Sequence, residues 1–241
     1  MIQSSSPTMP EAKRVLLLAT SAAGHEAFAA AAAKLGLELI SGTEEGEGGL
    51  TLDFNTRDSA LQIVQYAMDC PLAAIVVGDE RPLPVAARAA SMLGLPFHPP
   101  KTGDVLRDRK RLEVRLNAAG LELADMGKRG IELAGVMTER KLRVLGLFDQ
   151  RRVIASLHAE ARERVPDLLR SLIKSLSLTN GPVYVAATSD LLAVTNVSPV
   201  VPQELASALR FRIPLVDDDI SWQELLIRHA LGMDISRAYR K

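Results

Sequence analysis

The chain has 241 residues, of which 47% are hydrophobic and 24% are charged, enough to bury one large core or two small ones. Lysine and arginine together number 29, as do aspartate and glutamate, so the formal net charge is zero. A neutral protein exerts no long-range attraction on nucleic acid or an anionic membrane, and we expect neither as a partner. The single cysteine, Cys70, excludes an internal disulfide and a cysteine-rich zinc site.

The first residues, 1–12, form a polar leader that we expect to be disordered. They lack the apolar core of a signal peptide. No apolar stretch in the sequence approaches the roughly 20 residues that are needed to cross a bilayer. The sequence therefore predicts a cytoplasmic protein.

Short apolar runs alternate with helical patterns through residues 13–120. The runs at residues 14–19, 37–41, 50–53 and 73–77 are predicted strands. Continuous apolar strands that alternate with helices are typical of a parallel sheet covered on both faces. The sequence therefore predicts an α/β unit with a doubly wound parallel sheet.

The helices predicted between these strands carry familiar start and stop signals. A brief edge strand is predicted at residues 95–97. The first helix spans residues 25–35 and ends before Gly36, and the second runs from the N-cap Asp58 to Met68. The third begins with Pro82 and Pro84 and ends at Gly94, and the fourth spans 102–119, has a basic face and ends at Gly120.

From residue 131 onward the pattern changes to antiparallel strands with helices. The runs at 131–137 and 142–148 are joined by a loop of hairpin length, and 183–187 and 191–197 make a second hairpin about Asp190. The remaining elements are a strand at 153–157, an amphipathic helix at 166–178 and a final helix at 221–231. The final helix begins with a capping box of Ser221 and Glu224, and we expect Trp222 to anchor it in the core.

Five segments carry a resemblance to a known family. They read GLPFHPP at 94–100, RDRKRLEVRLNAAGL at 107–121, RVLGLFDQ at 143–150, GPVYV at 181–185 and ELLIRHALGMD at 224–234. In this order they resemble the ATP-grasp superfamily, specifically the carboxylate–amine ligases near biotin carboxylase, which carry GLP-x-NPP, an RDK helix, RVLALFDK, GPVHAE and a similar closing helix.

The resemblance implies a pre-ATP-grasp, Rossmann-like domain at 13–120 and a reduced ATP-grasp C-terminal subdomain at 131–241. In that family a separate β-subdomain stands between the two and closes over the nucleotide. Here residues 121–130 are all that joins them, a linker too short to form a subdomain. The chain therefore resembles a truncated and degenerate member of the family.

The resemblance also implies where a metal site would lie. Family members hold Mg²⁺ with two sheet acids, and these positions match Ala186 and Val194, while Asn196 keeps the family's asparagine. A shift of one residue would put Ala193 in place of Val194, and neither alignment restores an acid. An alkyl side chain cannot coordinate a hard cation. We therefore predict a non-catalytic protein with no catalytic residue, metal or cofactor. The alternative is an ATP-dependent ligase that uses ATP and Mg²⁺ through an atypical metal arrangement.

A second alternative is a small-molecule binding protein. In the related enzymes the turn after the first strand and the loop after the 73–77 strand approach the acceptor substrate, and a helix N-terminus favours anions. The candidate pocket residues are Thr20, Ser21, Gly24, His25, Gly78, Asp79 and Glu80.

Two basic residues are candidates for a remnant of the family's phosphate site. Arg109 takes the place of the phosphate-contacting lysine, and Lys110 follows it. Arginine keeps the charge but not the geometry of an ammonium group, and a solvated basic helix face is the other interpretation.

Loss of the nucleotide-covering subdomain would expose the apolar sheet face on which ATP lies in the family. An exposed apolar face usually binds a partner. We therefore expect a homo-oligomer, most simply a dimer, or a complex with another ligase-type chain.

Overall fold

The structure is a computed structural model, and it describes the chain in ten stretches. They are residues 13–20, 25–45, 49–125, 130–138, 141–149, 152–153, 156–157, 159–191, 193–213 and 219–240. The leader predicted at 1–12, and Ser21 and Gly24 of the predicted pocket, lie outside them.

The first sheet is parallel and four-stranded, with the order β3-β2-β1-β4. This confirms the parallel sheet that the uninterrupted apolar runs predict. In chain order its strands are β1 (Arg14–Leu18), β2 (Glu38–Thr43), β3 (Gly49–Thr51) and β4 (Leu72–Val77).

Helices cover both faces of this sheet. Val15 and Leu17 of β1 pack in one core cluster with residues of α1, whereas Leu16 and Leu18 pack in another with residues of α2 and α3. The two faces alternate along β1 because successive side chains of a strand point in opposite directions. These helices are α1 (His25–Lys34), α2 (Asp58–Asp69) and α3 (Leu83–Leu93).

The ends of α2 and α3 differ in how well the sequence predicts them. Gly94 follows α3 with φ 69°, as expected of a glycine that ends a helix. The Asp58 N-cap is wrong, because α2 begins at Asp58 and Arg57 takes the cap position with no side-chain hydrogen bond. Asp58 instead lies in the first turn, where its negative charge is favourable.

The predicted helix at 102–119 is wrong as a single element, and no strand forms at 95–97. The chain forms α4 (Pro100–Arg107) and α5 (Arg109–Asn117), divided at Asp108. Asp108 has extended backbone angles, and its side chain accepts hydrogen bonds from the backbone N–H groups of Lys110 and Arg111. An aspartate that caps a following helix in this way ends the preceding one.

The second sheet has the order β5-β10-β9-β6-β7-β8. Both predicted hairpins form, since β6 pairs antiparallel with β7 and β9 with β10. Of the strand predicted at 153–157, only its first residue is in a described strand. The strands are β5 (Glu122–Leu123), β6 (Ile131–Thr138), β7 (Lys141–Asp149), β8 (Arg152–Val153), β9 (Gly181–Ala187) and β10 (Ala193–Ser198).

One face of the second sheet packs against helices α5 and α6 (Ala159–Leu176). Helix α6 begins before the predicted residue 166 and carries Pro166 inside it. Leu112 and Leu116 of α5 join the same core cluster as Val183 and Val185 of β9, so α5 contacts the second sheet rather than the first.

The last part of the described chain adds helices and a small antiparallel sheet of order β12-β11-β13. The sequence predicts α8 but neither α7 nor this sheet. The elements are α7 (Gln203–Ala208), β11 (Arg210–Arg212), β12 (Ile220–Ser221), α8 (Trp222–Ala230) and β13 (Tyr239–Arg240).

Helix α8 joins the two sheets in one core. Leu225 and Ile227 belong to the cluster that also contains Val76 of β4, and Trp222 is 2% exposed, which confirms it as a core anchor. The capping box at its start is half formed: Ser221 Oγ accepts from the Glu224 N–H at 3.1 Å, whereas the Glu224 carboxylate pairs with cations. In the described part of the chain, no helix is long and apolar enough to cross a membrane.

Candidate functional site

Thr20 and Asp79 meet where two neighbouring parallel strands end. The Asp79 carboxylate accepts hydrogen bonds from Thr20 N at 2.6 Å and from Thr20 Oγ1 at 2.9 Å. Its other oxygen accepts from Arg81 N at 3.0 Å. The two sequence-predicted residues are therefore brought together, but Asp79 is engaged in holding the two loops to each other.

The other described pocket candidates have separate surroundings. His25 is the first residue of α1, and its Nε2 lies 2.6 Å from the hydroxyl of the buried Ser41 on β2. Gly78 allows close packing, because a Cβ there would lie 3.0 Å from the Ala19 side chain. Glu80 is exposed.

A small cavity lies beside this turn, at the end of β4. Gly78, Phe28, Gln203 and Trp222 are among its lining residues, and its volume is about 40 Å³. Ligand pockets usually measure roughly 300–1,000 Å³. The cavity is therefore of the size for a solvent molecule, and the described residues do not form a drug-sized pocket there.

The phosphate-site candidates have also acquired different partners. Arg109 Nη2 donates a 3.0 Å hydrogen bond to the carbonyl oxygen of Ala124, next to β5. Ala124 N in turn donates to Val194 O at 2.8 Å. Arg109 thus holds the chain that leads away from α5, while the Lys110 side chain lines a groove between α4 and α5.

The first expected metal position is the centre of a row that crosses three strands. Glu132 on β6 pairs with Ala186 on β9, and Ala186 pairs with Asn196 on β10. Directly paired residues of antiparallel strands have their side chains on the same face. Glu132, Ala186 and Asn196 therefore share one face of the second sheet.

The second expected metal position faces the other way. Val194 and Asn196 are two residues apart and would share a face in a regular strand. A bulge between them changes the register, so that Val194 pairs with Ala187 whereas Asn196 pairs with Ala186. Val194 is 0% exposed and packs in the cluster with α5 and α6, whereas Ala186 packs in the cluster with α8. The two positions lie on opposite faces, so even acidic residues there could not hold one ion together.

Glu132 is the carboxylate that sequence reasoning missed. It is 4% exposed, and the hydroxyl of Tyr184, itself 5% exposed, donates a 2.8 Å hydrogen bond to its Oε2. Tyr184 lies two residues before Ala186 on β9 and therefore points to the same face. A glutamate inside the apolar run at 131–137 was the signal that could have identified it.

These residues do not fit the magnesium site that the resemblance implies. The row has one carboxylate where the family has two sheet acids, and that carboxylate is buried and already hydrogen-bonded. Over the stretches that the structure describes, no group of three or more His, Cys, Asp or Glu side chains is placed to hold a metal ion.

The exposed apolar sheet face expected from the sequence is not found among the described residues. Ala134, Tyr184 and Ala186 on that face are buried in the core cluster that includes α8. Leu209, which follows α7, packs over Gly146 of β7 so closely that a Cβ at residue 146 would lie 2.8 Å from it. Elements of the chain itself therefore cover this face, a correction to the prediction.

Two buried histidines lie near the junction of the sheets. His98 is 2% exposed, with Nε2 2.9 Å from the Pro182 carbonyl, and burial lowers its pKa to about 4. Burial likewise lowers the pKa of His229, in α8, to about 4. Within the described chain, His229 Nε2 has no hydrogen-bond partner. Both side chains are neutral near pH 7, and among the described residues neither belongs to a group of three or more side chains that could hold a metal ion.

Comparison with known proteins gives a consistent picture of the fold. No family profile and no curated protein sequence matches the chain. Among solved structures, it is similar to an L-amino acid ligase from Bacillus licheniformis, with a TM-score of 0.69 and 15% identity over 95% of this chain and 76% of that one.

Two further structures are similar to the same extent. Phosphoribosylglycinamide synthetase from Anaerococcus prevotii has a TM-score of 0.67 and 11% identity, over 93% of this chain and 76% of that one. N5-carboxyaminoimidazole ribonucleotide synthetase from Thermus thermophilus has a TM-score of 0.65 and 14% identity, over 94% of this chain and 80% of that one. The similarity covers almost all of this chain, while about a fifth to a quarter of each neighbour has no counterpart in it.

Proposed function

The chain has the fold of the ATP-grasp ligases, and from this premise we propose that it is a non-catalytic homologue that acts as a binding or regulatory subunit. The observation that carries the proposal is the pair of expected metal positions. Ala186 and Val194 are apolar and lie on opposite faces of the sheet. Phosphoryl transfer in this fold relies on metal and cations to stabilise developing charge, and the described residues of this sheet offer no paired acids at these positions.

Three other features support loss of nucleotide chemistry. Glu132 is already hydrogen-bonded by Tyr184, and Arg109 is engaged with the Ala124 carbonyl. The ten residues at 121–130 are also too few to form a second wall over a nucleotide. Glu132 and Arg109 thus each have a structural partner within the chain.

Calorimetric titration with Mg-ATP tests the proposal directly. We expect no heat of binding at millimolar nucleotide and no ADP release with amino-acid or carboxylate acceptors. The B. licheniformis-type L-amino acid ligase, assayed in the same buffer, is the positive control. Saturable, magnesium-dependent ATP binding would overturn the proposal in favour of a ligase with an atypical metal site.

Small-molecule binding at the turn after β1 receives less support. The cavity of about 40 Å³ is too small for a ligand of metabolite size, and Asp79 is satisfied by Thr20 and Arg81. A thermal-shift screen of amino acids and nucleotides tests it, with Asp79→Asn as the site variant. A stabilising ligand whose effect disappears in Asp79→Asn would establish this function.

A cytoplasmic subunit role requires a partner, either a second copy or another ligase-type chain. Because the described sheet face is covered from within the chain, the contact has to use another surface. Light scattering coupled to size-exclusion chromatography distinguishes the two partners. A dimer supports self-association, whereas a clean monomer at high concentration restricts the proposal to a heterologous complex.

A further inference from the structure

A surface groove of about 420 Å³ lies between α4 and α5, away from the row of Glu132. It exists because Asp108 divides the predicted long helix into two. Its volume falls within the range of functional pockets, roughly 300–1,000 Å³. The groove is therefore large enough to accept several side chains of a bound molecule.

The groove is strongly basic. Four cations line it: Lys101 on α4 and Lys110, Arg111 and Arg115 on α5. Arg111 and Arg115 are four residues apart in α5, which places them one above the other on the same face of the helix. Since the whole chain has zero net charge, this is a local concentration of positive charge rather than a result of basic composition.

Most of this charge is available to a partner. The one carboxylate in the groove, Asp104, pairs with Arg88 at 2.9 Å. Arg111 pairs with Asp108 at 3.2 Å, but Lys101, Lys110 and Arg115 make no ion pair among the residues that the structure describes.

Apolar side chains lie between the cations. Val105 and Val114 both line the groove, and Val114 is 68% exposed. A β-branched apolar residue in the middle of a charged helix face gains nothing from solvation. It provides a contact for an apolar side chain that is flanked by acidic ones.

The same geometry argues against phosphate or nucleic acid as the ligand. Many phosphate sites use free backbone N–H groups at a helix N-terminus in addition to cationic side chains. At α5 these groups are taken by the Asp108 side chain, which accepts from Lys110 N and Arg111 N. Single-stranded nucleic acids need aromatic side chains for stacking, and none lines this groove.

We propose that the groove between α4 and α5 binds an acidic peptide segment of a partner protein, with carboxylates on the cations and an apolar side chain on Val105 and Val114. Positive and negative surfaces that complement each other give specificity and fast association. The inner side of α5 packs on the sheet face opposite Glu132, through Leu112 and Leu116. The docking site is therefore independent of whether the other face binds nucleotide.

Fluorescence anisotropy with the full chain tests the proposal. The probe is a fluorescein-labelled peptide, Glu-Asp-Leu-Glu-Glu-Leu-Asp-Glu, at about 50 mM salt. We expect saturable binding that weakens roughly tenfold in the double variant Lys101→Glu, Arg115→Glu, because two attractions become repulsions. Binding should also weaken as salt is raised to about 0.5 M.

A matched control carries the same change of charge elsewhere. Arg57→Glu with Arg237→Glu alters two exposed cations outside the groove and should bind the peptide like the wild type. Val114→Ser should weaken the leucine-containing peptide but leave an otherwise identical peptide with alanine unchanged. Circular dichroism verifies that each variant is folded.

Three results would overturn the proposal. One is absence of binding at low salt, and another is equal weakening in the groove variant and its control. The third is displacement of the peptide by inorganic polyphosphate or a short single-stranded DNA at lower concentration than by unlabelled peptide, which would make the groove a general polyanion site.

Discussion

Lys34, at the end of α1, and Glu224, in the first turn of α8, form an ion pair of 3.3 Å that ties a helix of the first sheet to the final helix. Glu224 is 2% exposed and also accepts from Arg228 Nη2 at 2.7 Å. One buried carboxylate thus balances two cations from different parts of the chain.

Glu224→Ala should destabilise the protein strongly. The change leaves the guanidinium of Arg228, which is 14% exposed, without its partner. Removing one partner of a buried ion pair lowers the free energy of unfolding by about 3–5 kcal/mol. At about 3 kcal/mol, the melting temperature of a chain of this size falls by roughly 6–12 °C. Differential scanning calorimetry measures the shift.

The control for this variant is an exposed ion pair of the same chemistry. Asp167 and Arg170 pair on the surface of α6, and both are 76% exposed. Asp167→Ala should cost no more than about 0.5 kcal/mol. Equal losses in the two variants would contradict a buried role for Glu224.

Tyr184→Phe should show how far the stability depends on the hydrogen bond from Tyr184 to Glu132. The variant removes the hydroxyl and leaves a buried carboxylate unsatisfied, at a cost of about 1–3 kcal/mol. Urea unfolding at pH 7 measures it, with Tyr239→Phe on a 53% exposed ring as the control. Adding Glu132→Leu to Tyr184→Phe should recover most of the loss, and a further loss in the double variant would contradict the pairing.

Ala186→Glu should create a divalent-cation site together with Glu132. The new carboxylate would lie directly across from Glu132 on the same face. Without metal the two like charges lower the stability. Mn²⁺ or Mg²⁺ at about ten times its dissociation constant should raise the free energy of unfolding of the variant by about 1.4 kcal/mol. Thermal unfolding with and without metal measures the effect.

Val194→Glu is the matched variant at the other expected position. Its carboxylate would be buried in the apolar cluster with α5 and α6, where a lone charge is strongly unfavourable. We expect loss of stability with no recovery on adding metal. Metal rescue of Val194→Glu would show that the two positions share a face after all.

Acidification should destabilise the fold through His98 and His229. Burial lowers the pKa of each to about 4, whereas an unfolded histidine titrates near 6.5. Between these values the unfolded chain binds more protons, so stability is complete above pH 6.5 and is lost as the pH falls toward 4. Each histidine contributes a slope of about 1.4 kcal/mol per pH unit in that window.

His229→Leu isolates one of these contributions. The variant should reduce the histidine-dependent slope by about half and raise the stability at pH 7, because it removes a buried Nε2 that has no partner in the described chain. Urea unfolding from pH 7 to pH 4 gives both quantities. A curve parallel to that of the wild type would rule out His229 as a titrating group.

Patterns along the chain predict much of this fold. Uninterrupted apolar runs indicate the parallel sheet, and paired runs around short loops indicate both hairpins. These signals are local, since they depend on side-chain alternation and turn chemistry. The division of the predicted helix at Asp108 also has a local cause, the capping of α5. The sequence does not predict it, because an aspartate between basic residues is equally typical of a solvated helix face.

The candidate site was less predictable because it depends on register. Matching residues to the family places Ala186 and Val194 at the metal positions, but the bulge before Asn196 puts them on opposite faces. The pairing of Glu132 with Tyr184 joins residues from different strands. A one-residue change of register reverses a strand's faces, so no pattern within one strand specifies these relationships.

The shared core also has a consequence for synthesis in the cell. Val76 on β4 packs in the cluster that α8 completes, yet α8 lies almost at the other end of the chain. At ~5–20 residues per second, the ribosome needs roughly 7–30 s between making these two elements. During that time the face of the first sheet that carries Val76 lacks the contact with α8. Chaperones should therefore bind the nascent chain mainly in this interval and dissociate once α8 has been made.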